Sequence, residues 1–312
     1  MHTTEHPAED LTPQQIEDFQ RDGVICVRQL YSPKWVERIR DILDTIMASP
    51  SAVLGPRGDS SFRQDLYAWL TNDDLRDFAL FAPSAHIVQQ AFGSQRVNFY
   101  SDQIFVKDKL SPLPTPWHHD FTFWPMAGDQ IASLWTSVDP VDASSSALEF
   151  VAGSHRWPQR FRAIALDGSD LTTGTQMDEL PDIDSDRSKF EILSWALEPG
   201  DALLFHGLTV HGARGNQSAT SKRRAIATRW CGDDVVYQPC TVPELYRHDL
   251  KAGDPFSSAI FPQVLPKIFE EQIGERMRGP ILPDPQMMAA TFQRLGQLDR
   301  VEVRLDAAVA VK

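Results

Sequence analysis

Three cysteines in 312 residues, Cys26, Cys231 and Cys240, are too few and too scattered for a disulfide framework, and no two form a C-x-x-C pair. A reducing compartment is therefore expected, with the cytoplasm as the default. Long apolar runs are absent too. No stretch reaches the length a bilayer demands, and Met1-His2-Thr3-Thr4-Glu5-His6-Pro7 has no basic segment leading into an apolar one. The closing Val309-Ala310-Val311-Lys312 is not an address of the S-K-L type. Positive charge is also scarce: 30 Lys and Arg face 43 Asp and Glu, a formal charge of −13. Such a balance repels polyanions, so neither nucleic acid nor a membrane is an expected partner. The acidic run 182–187 lacks the glycine and closing glutamate of a calcium loop and reads as solvated surface.

What remains is ample for one elaborated domain, since 42% of the residues are hydrophobic. Thr12-Pro13 reads as an N-cap with proline in the first turn, opening an amphipathic helix that closes before Gly23. A short strand is expected over 24–27. Ser32-Pro33 repeats the signal ahead of Trp35, Ile39, Ile42, Leu43 and Ile46, one apolar stripe suited to packing on the outside of a sheet. From residue 97 the pattern turns to strands, predicted over 97–106, 131–138, 148–151, 190–197, 202–205 and 224–230. Strands after a helical segment suggest an α+β, mainly β fold: a double-stranded β-helix (jelly-roll, cupin-like) core with flanking N-terminal helices. The expected organisation is a single domain, 1–312, with a helical part over 11–95, the core over 96–236, a polar lid-like loop at 160–189 and a C-terminal extension over 237–312. In that extension, 265–277 reads as a helix and the rest as proline-rich irregular chain.

Within the core, Pro116-Trp117-His118-His119-Asp120 carries an H-x-D pattern, and His211 stands far downstream in Val210-His211-Gly212. In extended chain, residues i and i+2 share a face, so His118 and Asp120 can bind one ion while His119 points away. Two imidazoles and a carboxylate in this arrangement make the facial triad that leaves open positions on a non-haem ferrous ion. His119, His155 and His206 read as structural. Beyond His211, the strand beginning Arg223-Arg224 offers a guanidinium able to grip a dicarboxylate such as 2-oxoglutarate through a two-pronged contact. Alternation admits only one of the two to the barrel interior, Arg223 by preference and Arg224 otherwise.

The ordered blocks Gln103-Ile104-Phe105-Val106-Lys107, Pro116 to Asp120, Ala132-Ser133-Leu134-Trp135-Thr136, Leu148 to His155, Pro199-Gly200-Asp201, His211-Gly212 and Arg223-Arg224-Ala225 together resemble the phytanoyl-CoA dioxygenase family, over approximately residues 11–230. The resemblance implies Fe(II) held by His118, Asp120 and His211, and 2-oxoglutarate with its distal carboxylate on Arg223. It also implies a cosubstrate pocket touched by Lys107, Trp135 and Gln103, with O2 as oxidant and succinate and CO2 as coproducts. Two departures stand out: His119 occupies a position where the family usually has glutamine, and Ser144-Ser145-Ser146-Ala147 replaces a common Asn-Gly.

Related enzymes that halogenate replace the carboxylate ligand by a small residue; with Asp120 present, the resemblance implies hydroxylation or another oxidative outcome rather than chlorination. The expected partner is a small organic molecule, largely apolar given Phe121, Phe123 and Trp124 beside the ligands, and the protein is expected as a monomer or homodimer. Secondary-metabolite tailoring fits better than 2-hydroxylation of an acyl-CoA, which the acidic surface disfavours. The rival readings are a metalloenzyme that uses no 2-oxoglutarate and a non-catalytic binding protein on the same barrel.

Overall fold

Thr12 and Gln15 close the start of the first helix reciprocally: the Thr12 hydroxyl accepts from the Gln15 amide at 3.2 Å, and the Gln15 side chain accepts from the Thr12 amide at 2.9 Å. Gly23, at φ 77°, ends it in the left-handed conformation glycine favours. The computed structural model describes residues 4–48, 61–162, 177–240, 246 and 248–266. In chain order the elements are α1 (Pro13–Asp22), β1 (Val24–Val27), α2 (Pro33–Ala48), β2 (Phe62–Leu66), α3 (Asp73–Phe81), α4 (Ser84–Phe92), β3 (Val97–Lys107), β4 (Thr115–His118), β5 (Met126–Ala127) and β6 (Ile131–Ser137). There follow β7 (Leu148–Val151), β8 (Ile192–Ser194), β9 (Ala202–His206), β10 (His211–Ala213), β11 (Arg223–Cys231), β12 (Val236–Tyr237) and β13 (Gln263–Leu265).

Two antiparallel sheets make a jelly roll. The larger runs β1-β9-β6-β11-β3-β13, with β2 also on β3, and the smaller runs β4-β10-β7-β8. Alternation divides the long strands cleanly. Ala225 and Ala227 of β11, Trp135 of β6 and Leu203 and Phe205 of β9 pack inward with Phe150 of β7 and Ala213 of β10. Ile226, Leu134, Leu204 and Ile104 instead join the outer core with the helices, including the α2 stripe of Trp35, Ile39, Ile42, Leu43 and Ile46. Burying a side chain of this size stabilises by roughly 1.5–3 kcal/mol, so a one-residue slip in β11 would cost several such contacts and turn its arginines over.

Several expectations are corrected. The strand expected over 190–197 is only β8, because the chain before it makes a 3-10 turn at Arg187–Lys189, for which Phe190 is the C-cap. Strands β2, β4 and β10 were not anticipated: three to five residues of mixed polarity carry no period, and pairing makes them strands. Where a helix was expected from 265, Gln263–Leu265 is a strand on β3, and residues 267–277 lie outside the described part of the chain. Of the lid-like loop, 163–176 likewise lies outside it. Its later portion packs down, with Ile183 buried against Val151, Phe161 and Val210 on the outer side of the smaller sheet. Trp124 belongs to the outer core, while Phe121 is half-buried against it.

Candidate metal centre

Strand β10 lies against β4 with His211 directly opposite His118, and the two imidazole centroids are 4.3 Å apart. The strand β4 ends at His118, and Asp120 opens a 3-10 turn, so the H-x-D is not one continuous strand as expected. His119 still has extended backbone, φ −118° and ψ 147°, and the alternation survives across the junction. Asp120 Oδ1 therefore stands 3.5 Å from His118 Nε2, and one ligand atom from each of His118, Asp120 and His211 falls within 4.8 Å of the others. No other cluster of this kind exists among the described residues.

Each imidazole is held in the tautomer a metal needs. His118 Nδ1 donates to the Pro116 carbonyl at 2.7 Å and His211 Nδ1 to the Thr209 carbonyl at 2.9 Å, leaving both Nε2 lone pairs free to ligate. Burial and the neighbouring His118 push His211 down to about 3, so it stays neutral throughout the physiological range. Burial alone would raise the Asp120 carboxyl, but Arg229 and the two histidines outweigh it and hold the group well below the usual carboxylate range. Two imidazoles that present Nε2 and an anionic oxygen on one face form a donor set that fits ferrous iron.

The other histidines are engaged elsewhere. His119 Nε2 accepts from the Phe161 amide at 3.1 Å, with Thr122 Oγ1 3.3 Å from Nδ1. His206 Nε2 bonds the Asp129 carbonyl at 2.6 Å, and His155 Nε2 lies 3.2 Å from the Gln20 carbonyl.

Further along the inner face of β11, Arg223 is 1% exposed and its direct partner on β3, Lys107, is 0% exposed. Arg223 Nη1 donates to the Ser146 carbonyl at 2.8 Å, its guanidinium lies 5.5 Å from the Trp135 ring, and its Nε has no partner. Lys107 Nζ donates to the Arg214 carbonyl at 2.9 Å and to Ser146 Oγ at 3.2 Å. Burial, with Arg223 beside it, pushes Lys107 down to about 6, and burial brings Arg223 to about 9. No acid is bonded to either among the described residues. A buried guanidinium with an orphaned N–H, set against a buried amine, is costly unless an anion joins them, which fits the distal carboxylate of a dicarboxylate cosubstrate. Arg224 faces outward and is paired with Asp139 and Asp44, which leaves Arg223 as the inward arginine.

Gln103 stands at the metal end of the site. It is bonded to Gln64 and to Arg229, next to Asp120 and not to Arg223. Sequence reasoning missed Ser133, Ser146 and Arg229. Arg229 was within reach, since it lies six residues beyond Arg223 and so on the same face of the strand. Ser146, at φ 72°, carried no local signal.

Comparison with known proteins gives a concordant result. The multifunctional dioxygenase prhA of Penicillium brasilianum is 23% identical over 224 residues, spanning 67% of this chain and 68% of that protein. Among solved structures, the non-haem alpha-ketoglutarate-dependent carbocyclase SnoK from nogalamycin biosynthesis superposes with a TM-score of 0.66 at 22% identity, covering 82% of this chain and 98% of SnoK. The epimerase SnoN, solved with Fe3+, alpha-ketoglutarate and nogalamycin RO, gives 0.65 at 20% identity, with coverage of 80% and 97%. The family model for phytanoyl-CoA dioxygenase (PhyH) matches residues 19–225. The chain, with its two histidines and aspartate gathered inside a jelly roll, belongs to the phytanoyl-CoA dioxygenase family and is an oxygenase.

Proposed function

We propose that this protein is an Fe(II)- and 2-oxoglutarate-dependent oxygenase that hydroxylates an unactivated C–H bond of a small organic molecule in secondary metabolism. The observation that carries the reading is the pairing of two features within one barrel: the His118, Asp120 and His211 cluster, and the buried basic side chains Arg223 and Lys107, with no acid bonded to either among the described residues. His118 Nε2, His211 Nε2 and Asp120 would hold the iron. Arg223 would grip the distal carboxylate of 2-oxoglutarate, with Lys107 adding a second positive charge and Trp135 walling the site. When bound, iron and 2-oxoglutarate together supply the oxidation, one oxygen atom of O2 entering the substrate and the other the succinate that forms with loss of CO2. The protein's part is to turn both Nε2 atoms toward the metal, orient the carboxylate and exclude water from the buried Arg223 and Lys107 side chains.

SnoK and SnoN, a carbocyclase and an epimerase from nogalamycin biosynthesis, support a place in secondary metabolism and a second outcome, ring closure or inversion, on the same residues. An acyl-CoA substrate is disfavoured by the −13 charge. We place the enzyme in the cytoplasm, where its three thiols stay reduced.

The test is anaerobic mixing of the purified protein with Fe(II) and 2-oxoglutarate. A weak visible charge-transfer band should appear, and Arg223→Ala should weaken 2-oxoglutarate binding by at least about tenfold, the worth of one charged hydrogen-bonding contact. Iron binding without the band, or an unchanged affinity in Arg223→Ala, would favour a metalloenzyme that does not use 2-oxoglutarate.

A further inference from the structure

Asp120 has two carboxylate oxygens, and their surroundings differ. Oδ1 faces His118 Nε2 at 3.5 Å, on the side where the three ligand atoms converge. Oδ2 faces away, accepting a 2.7 Å hydrogen bond from Ser133 Oγ and lying 3.6 Å from Arg229 Nε. Ser133 and Arg229 are direct cross-strand partners on β6 and β11, so one rung of the larger sheet presents both groups to the same oxygen.

Arg229 is 5% exposed, and its side chain is fixed from two more sides. Its Nη2 donates to Gln103 Oε1 at 2.5 Å, and its guanidinium lies 5.8 Å from the Trp124 ring. Gln103 is itself pinned, donating to Gln64 Oε1 at 2.9 Å. The Arg229 Nε has no hydrogen-bond partner nearer than Asp120. A buried guanidinium held this rigidly beside one carboxylate oxygen does more than balance charge: it determines which way the carboxylate turns.

We propose that Arg229, with Ser133, is a positioning residue that reserves Asp120 Oδ2 and so restricts Asp120 to one-oxygen coordination through Oδ1. This rests on the metal-centre reading above. The second oxygen is kept out of the coordination sphere, which leaves that place on the metal open to small molecules. Gln64 and Gln103 serve as the brace for the guanidinium.

The full-length protein, loaded with Co(II) under anaerobic conditions, tests this through the visible ligand-field spectrum and the dissociation constant. In Arg229→Gln the freed Oδ2 should enter the sphere and change the spectrum toward higher coordination. Co(II) binding should weaken by about 10- to 100-fold, as is usual when a ligand's outer partner is lost. Arg229→Lys, which keeps the charge without the fork, should restore the spectrum only in part. Gln103→Met, which leaves Arg229 in place but removes its brace, should shift it in the same direction by less, and it keeps the test open should Arg229→Gln fold poorly. A spectrum and affinity identical to the parent in Arg229→Gln and Gln103→Met would overturn the proposal. Tighter Co(II) binding in Arg229→Gln would also overturn it, since the guanidinium would then act only as a nearby positive charge. Failure of the unsubstituted protein to bind Co(II) would overturn the metal-centre reading itself.

Discussion

Lys107 presents an amine to the barrel wall with no acid bonded to it among the described residues, facing Arg223 from β11, the Phe62 ring from β2, Ser146 and the Arg214 carbonyl. Burial brings it to about 6, so above that pH it is mostly neutral in the free protein. A bound carboxylate would favour the ammonium, and 2-oxoglutarate binding should then take up a proton. Affinity should consequently strengthen as pH falls from 8.5 toward about 6, approaching but not exceeding about tenfold per pH unit. Titrations of the Fe(II) protein at several pH values would show this slope, and Lys107→Met should flatten it. Stability of the free protein runs the opposite way: with the folded value below the unfolded 10.5, the unfolded chain holds more protons between about 6 and 10.5, so stability rises with pH across that window. At this scale much was legible in advance. Strand alternation alone separates Arg223 from Arg224, and the H-x-D spacing turns His119 away. The ring orientations of His118 and His211 were not legible, because they depend on the Pro116 and Thr209 carbonyls bending back onto each ring.

At the scale of elements, the end of α1 is tied to the metal-binding strand. Gly23 is left-handed, and its carbonyl accepts from Thr209 Oγ1 at 2.8 Å, while the Thr209 carbonyl accepts from His211. A Cβ at position 23 would stand 2.5 Å from Thr209 Oγ1 and would also strike the His155 ring. Gly23→Ala should therefore destabilise the fold by about 2–4 kcal/mol, adding left-handed strain to overpacking. A lower urea midpoint at an unchanged slope would register it, and wild-type stability would mean that the α1 turn is not fixed as described. The helix itself was readable from its cap, proline and glycine. Its attachment to the strand bearing His211 was not, since that contact joins positions 186 residues apart.

For the whole molecule, the site is assembled on a scaffold whose two sheets already share a dry core of Phe150, Phe205, Leu203 and Ala225. Metal removal should leave the fold intact, unlike a domain whose core is the metal site. Fe(II) and 2-oxoglutarate should instead raise stability by mass action, on the order of 2.7 kcal/mol for a ligand at a hundredfold over its Kd. Differential scanning calorimetry should show the thermal midpoint climbing by several degrees on loading and returning after chelation. Unfolding on chelation would contradict a preformed scaffold. Among the described residues no helix is long and apolar enough to cross a membrane.

By itself the sequence determined what short-range chemistry can express: the caps of α1, the periods of the long strands β3, β6 and β11, the triad of ligating residue types, and that only one of Arg223 and Arg224 can face inward. Only tertiary structure could set His118 opposite His211, bring Ser133 and Arg229 to one oxygen of Asp120, and bury Lys107 beside Arg223. The physical reason is range. Propensity and alternation act over a few residues, whereas strands as short as β4 and β10 have too few residues to show a period and take their conformation and register from partners that packing supplies from far along the chain.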